Sequence, residues 1–318
     1  MGFFYSQVFI TPPYPTASCA GQTIIVTGAN TGLGKEAARH FARLGATKVI
    51  LACRNIRAGE EAKKDIETTT SCGGNVLEVW TLDLLSYESI KSFAARASSL
   101  PRLDVLLESA GVAGYRWYQA GKHERMVAVN VISTFYLALL MLPKLKASAK
   151  EFSIKPRLTI VVSEVHAFSK FPEWKEPRIF EALDDESKAR LGERYPTSKL
   201  LQVLIVRQIA SQLQDSGVIL NMLNPGLCVS ELSREGGLVL TVMTFFLGRT
   251  TEVGSRSLVA GALAGPQSHG HYINDGQVND DSLSDFVKSE DGKEASKKVW
   301  EELTEILESI QPGVTSNL

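Results

Sequence analysis

The chain has 318 residues, a formal net charge of −1 and 44% hydrophobic residues. That length holds one large domain or two, and the apolar content is ample for a packed core. Lys and Arg are dispersed, so there is no basic footprint for nucleic acid.

Residues 1–20 read as an irregular arm, because Pro12, Pro13 and Pro15 forbid regular structure there. Strands and helices then alternate. Strand 23–27 leads to helix 33–44, and strand 47–53 leads to helix 57–70. Strand 76–82 precedes helix 87–99, and strand 103–108 precedes helix 121–147. Strand 158–162, an irregular segment, helix 195–215 and strand 218–223 follow. Helix 250–264, a last strand 271–274 and a polar helix 289–310 close the chain. This alternation implies an α/β fold, a doubly wound, mostly parallel, Rossmann-type sheet with helices on both faces. We expect one catalytic domain over 21–275, with an insertion at 167–194, a substrate lid at 231–248 and a C-terminal helical extension at 276–318.

No stretch reaches the roughly 20 apolar residues of a membrane span. The most apolar segment, 237–248, holds Leu238, Val239, Leu240, Val242, Met243, Phe245, Phe246 and Leu247. It reads as a helix covering the substrate, with loose membrane contact as the alternative. Cys19, Cys53, Cys72 and Cys228 show neither disulfide nor metal spacing, which fits a reducing compartment, and we expect the cytoplasm. His269 and His271, with Asp275 beyond, are poor metal candidates, and no metal is expected.

Four local patterns carry chemistry. Strand Thr23–Thr27 runs into Gly28, Asn30, Thr31, Gly32, Leu33 and Gly34 and then into a helix whose apolar positions are Leu33, Ala37, Phe41 and Leu44. Glycines between a strand and a helix let backbone approach a pyrophosphate, with free N–H groups at the helix N-terminus. Tyr195 and Lys199 stand four apart on one helix face. An ammonium beside a phenol favours the phenolate, so Lys199 should lower the tyrosine pKa toward the range of acid–base work. Ser163 falls at the carboxyl end of an apolar strand, the edge where ligands bind in open α/β sheets, although turn residues are also common there. Asn130 is a polar amide in a long apolar stretch, costly unless it is hydrogen-bonded.

The order Thr27-Gly28-x-x-x-Gly32-x-Gly34, Asn130, Ser163, Tyr195-x-x-x-Lys199 and Asn224-Pro225-Gly226 resembles the short-chain dehydrogenase/reductase family. The likeness spans roughly residues 20 to 275. Arg194-Tyr195-x-x-Ser198-Lys199-Leu200-Leu201 is similar to the retinol-dehydrogenase-like and WW-domain-oxidoreductase-like branch, closest to fungal members that serve secondary metabolism. The resemblance implies Tyr195 as general acid or base and Lys199 on the nicotinamide ribose. It implies Ser163 on the carbonyl oxygen and Asn130 supporting a water and proton path to the lysine.

The resemblance also implies adenine contacts from Asp83 and Leu84, and cofactor contacts from Ala110, Gly111, Pro225, Gly226, Cys228 and Ser230. The family's usual Asn-Asn-Ala-Gly reads Glu108-Ser109-Ala110-Gly111 here. An acidic residue after the second strand suits NAD and an Arg suits NADP. Arg54 stands there without an acid beside it, so NADP is expected, with Asn55 assisting and Lys35 a weaker candidate. Glu164 and His166 are candidates to line the substrate pocket. The insertion would sit by the substrate mouth and block the helix packing by which relatives oligomerise, so a monomer acting on a small carbonyl or alcohol is expected. Rival readings are a non-redox step in the same site and a catalytically silent nucleotide-binding scaffold.

Overall fold

Eight strands form one sheet in the order β3-β2-β1-β4-β7-β8-β9-β10 in the computed structural model, which describes residues 3–229 and 247–318. The strands are β1 (Thr23–Thr27), β2 (Lys48–Cys53), β3 (Leu77–Thr81), β4 (Val105–Glu108), β7 (Arg157–Val161), β8 (Ile219–Asn224), β9 (Tyr272–Asn274) and β10 (Gln277–Val278). All neighbours pair in parallel except β9 and β10, which are antiparallel. β1 lies between β2 and β4, so the strand order reverses there and opens a crevice at the carboxyl ends.

Alternation along each strand divides the apolar residues between two cores. Ile25, Ile50 and Leu106 face one side, with Phe93, Phe135 and Leu204. Ile24, Val49 and Leu107 face the other, with Phe41, Ile66 and Leu258. Both faces are therefore buried, as a parallel sheet requires. The helices are α1 (Phe3–Phe9), α2 (Gly32–Arg43), α3 (Ile56–Thr70), α4 (Tyr87–Ser98), α5 (Arg125–Phe152), α6 (Ile179–Leu183), α7 (Leu191–Ala210), α8 (Thr251–Ala262), α9 (Asp285–Lys288) and α10 (Glu290–Ile310).

Most expected elements stand within a few residues of their expected ends, and several features differ. The arm is not irregular throughout, because α1 precedes its prolines. Ser6 Oγ donates to Asp275 and Gln7 Nε2 donates to the Leu227 carbonyl, so tertiary bonds hold the helix in place. Expected helix 121–147 begins later and runs further, after a short hairpin of β5 (Gln119–Ala120) and β6 (His123–Glu124). Contrary to expectation, α5 is long and apolar enough to cross a membrane, yet 89% of its apolar window is buried inside the protein, as in a core helix. The sheet also continues past residue 275 through β10. The insertion contains α6, whose Ile179, Phe180 and Leu183 are buried. The expected lid lies outside the described residues but for Leu247 and Gly248, and Ser230 lies outside them too.

Candidate active site

The turn after β1 is shaped by what a side chain would strike. Gly28 has φ +69°, and a Cβ there would meet Ala110 Cα at 3.0 Å. A Cβ on Gly34 would meet the Gly28 carbonyl oxygen at 2.7 Å, so helix and strand pack too closely for any side chain. Gly32 has φ +58°, which favours glycine. The Gly28 N–H donates to Ala52 O at 2.8 Å, and Ala110 N donates to Thr27 Oγ1 at 2.9 Å. This locks the Gly28–Gly34 turn against the Ala110-Gly111 loop. Thr31 precedes α2 without a side-chain cap, leaving the first-turn N–H groups near Asn30 and Leu33 for an anion.

At the end of β2, Arg54 is exposed and makes no ion pair among the described residues. Asn55 Oδ1 accepts from Ala58 N at 3.1 Å, so part of its side chain caps α3. Lys35, the weaker phosphate candidate, pairs with Asp65 at 2.8 Å. Beyond β3, Asp83 Oδ1 accepts from Leu85 N at 3.0 Å, and the Leu84 carbonyl accepts from Ser133 Oγ.

The second half of the site comes from α7. Lys199 is buried, and its Nζ donates to Val161 O at 2.9 Å and to Gln202 Oε1 at 2.9 Å. It stands 5.7 Å from the centre of the Tyr195 ring. Asn130 lies in a π-helical turn, Ala128–Ser133, inside α5. Turns of this kind often mark functional positions. Its Oδ1 accepts from Val112 N at 2.8 Å, and its Nδ2 donates to Val112 O at 2.8 Å and Ser198 Oγ at 2.9 Å. The buried amide is therefore satisfied, and it ties the β4 loop to α7.

Ser163 follows β7 and begins a short 3₁₀ turn. Its Oγ accepts from Val165 N at 3.4 Å. Burial pushes the tyrosine pKa above its ordinary value, and the nearby Ser163 hydroxyl opposes that rise. Burial also takes Lys199 down to about 7. The expectation that Lys199 lowers Tyr195 is therefore reversed here: desolvation penalises both charged forms and outweighs the neighbouring amine.

The Pro225-Gly226 loop closes the far side. Asn224 Oδ1 accepts from Glu164 N and from Gly226 N, each at 3.1 Å, joining the loops after β7 and β8. Gly226 has φ +79°, and a Cβ would strike Arg249 Nη1 at 2.7 Å. Cys228 is buried with its Sγ 3.5 Å from Gly226 O, and burial raises its thiol to about 12. His166, expected at the pocket, is a fully buried strut instead. Its Nδ1 donates to Ser163 O at 2.8 Å and its Nε2 accepts from Ser284 N at 3.2 Å. His269 is equally committed, to Leu220 N and Ala210 O. Sequence reasoning missed Gln202, Arg249 and Gln7. A polar residue one turn from Lys199, alone in the apolar stretch 200–206, was a usable signal for Gln202.

A doubly wound sheet with a glycine cradle at its switch point and a Ser, Tyr and Lys cluster across it defines a dinucleotide-dependent oxidoreductase. The short chain dehydrogenase profile matches residues 22–154. A short chain dehydrogenase/reductase of Cryptosporiopsis sp. is 48% identical over the full length of both chains. A short-chain dehydrogenase of Penicillium roqueforti is 42% identical over 99% of this chain and 84% of its own. The NADPH-bound carbonyl reductase from chicken fatty liver shares the fold, with TM-score 0.61 and 21% identity over 82% of this chain and 99% of its own. This chain belongs to the short-chain dehydrogenase/reductase family, and is an oxidoreductase of the nicotinamide-dependent kind.

Proposed function

We propose that the protein uses NADPH to reduce a ketone or aldehyde on a small, mainly apolar molecule of fungal secondary metabolism, or runs the reverse alcohol oxidation. The carrying observation is the convergence of Ser163, Tyr195 and Lys199 at the carboxyl end of β7. A dinucleotide fits the Gly28–Gly34 turn, because Gly32 has φ +58° with open space where a Cβ would stand, beside a helix start that no side chain caps. NADPH when bound supplies the hydride.

The chain's own residues do the rest. The Tyr195 hydroxyl gives a proton to the carbonyl oxygen in reduction and takes one back in oxidation. A phenol kept protonated by burial suits the acid role. The Ser163 hydroxyl donates a hydrogen bond to that same oxygen, where negative charge develops. Lys199 restores charge balance beside the phenol and holds ribose hydroxyls. Arg54, exposed at the end of β2 with no acid pairing it among the described residues, is the residue for the 2′-phosphate. The apolar 237–248 stretch, close after the Pro225-Gly226 loop in sequence, supports an apolar substrate. A screen of carbonyl compounds followed by loss of NADPH absorbance tests the reading. Consumption with at least one ketone or aldehyde is expected, and product formation without NADPH consumption would contradict it.

A further inference from the structure

Gln202 lies one turn beyond Lys199 on α7, and its side chain is buried. Lys199 Nζ donates to its Oε1 at 2.9 Å, and its Nε2 donates to the Asn130 carbonyl at 2.6 Å. An ammonium only donates and a carbonyl only accepts. One orientation of the carboxamide therefore makes both bonds, and the flipped one faces donor to donor and acceptor to acceptor. The ambiguity that usually attends a glutamine amide does not arise here.

The far end of this chain is fixed independently. The Asn130 side chain is held by Val112 and Ser198, so its peptide is a rigid anchor between the β4 loop and α7. The π turn Ala128–Ser133 interrupts the regular helical ladder there. The near end needs such support, because Lys199 forms no ion pair among the described residues. The titratable neighbour on its own helix is Tyr195. From β7 comes the uncharged Val161 carbonyl and from α5 the uncharged Asn130, while Cys228 lies beyond Tyr195.

We propose that Gln202 is the positioning residue of Lys199, its carboxamide coupling the fixed Asn130 peptide to the ammonium and holding Nζ beneath Tyr195 in its charged form. The proposal rests on the Tyr195 and Lys199 reading given above. A direct carboxamide bridge also occupies the route between lysine and Asn130 that the family resemblance assigns to a water. Burial disfavours the ammonium and two carbonyl acceptors favour it, so removal of one acceptor must register in the lysine itself.

The test reads Lys199 directly. Full-length protein with ¹³C-labelled lysine is titrated by NMR, the Lys199 signal being assigned with Lys199→Arg. Gln202→Met keeps the length of the side chain but offers no acceptor, and its Lys199 midpoint should fall by about one pH unit. Gln202→Glu supplies a carboxylate, and its midpoint should rise by at least as much. Opposite shifts in two variants that still melt cooperatively are expected. Unchanged midpoints, or shifts in the same direction, would overturn the proposal, because a packing role does not invert with charge. If one variant fails to fold, the sign of the other decides. NADPH binding and carbonyl reduction are measured on wild type alongside. Opposite shifts without any turnover would leave Gln202 positioning Lys199 and remove the proposed reaction instead.

Discussion

Arg249 Nη2 donates to Asp275 Oδ1 at 2.7 Å, and the arginine is buried. The same guanidinium reaches the Ser6 and Ile10 carbonyls at 3.0 and 2.9 Å and Pro225 O at 3.2 Å. One side chain thus joins the N-terminal helix, the sheet edge and the Pro225-Gly226 loop. Arg249→Met should cost about 1–3 kcal/mol in urea unfolding, because it removes the charge-assisted bond to Asp275 and leaves the Ser6, Ile10 and Pro225 carbonyls without that donor. A loss below about 1 kcal/mol would show that the knot is not a structural support.

Cofactor choice rests on Arg54. Wild type should bind NADPH more tightly than NADH, and Arg54→Ala should shrink that gap, since a charge-assisted contact is worth about 1.5–3 kcal/mol. Equal dissociation constants for the two dinucleotides in wild type would remove Arg54 from the role.

His166 gives a pH signature. Burial lowers its pKa, so the folded protein holds it neutral while the unfolded chain takes a proton below about 6.5. Its stabilising contribution is therefore complete above that pH and is lost as pH falls through the lower folded value. His166→Gln should cost about 1–3 kcal/mol at pH 7. That penalty should shrink at pH 5, because wild type has by then lost part of its advantage. A penalty independent of pH in denaturant titrations would contradict the neutral strut.

The assembly prediction comes from what covers α7. Ser296 Oγ on α10 donates to Leu204 O at 2.8 Å. The Glu302 carboxylate accepts from Ile179 N and Phe180 N at 2.9 and 3.1 Å, fastening the insertion to the same helix. With its outer face occupied by its own chain, α7 is closed to a second copy, and a monomer is expected. A stable dimer mass in light scattering at low concentration would refute this.

Much of this was legible in the residues because both periods were clear. β1 and β2 hold continuous apolar runs, 24–26 and 49–53, and the glycine turn, Ser163, Tyr195 and Lys199 each carry a local signal. α1 was hidden because seven residues leave too little periodicity, and its bonds come from partners more than 200 positions away. Gln202 was hidden similarly: its meaning depends on Asn130, 72 residues earlier. His166 misled because the residue next but two after Ser163 suggests a pocket, whereas the 3₁₀ turn rotates it into the core. The tyrosine pKa misled because spacing reports a neighbouring charge and not the burial that outweighs it.

The most direct test of the central claim is Tyr195→Phe, which removes one hydroxyl from the site. With any carbonyl substrate found by the screen, turnover should fall about 10²–10⁴-fold while NADPH affinity and thermal stability stay near wild type. Near wild-type turnover in that variant would contradict Tyr195 as the proton donor, and with it the proposed chemistry.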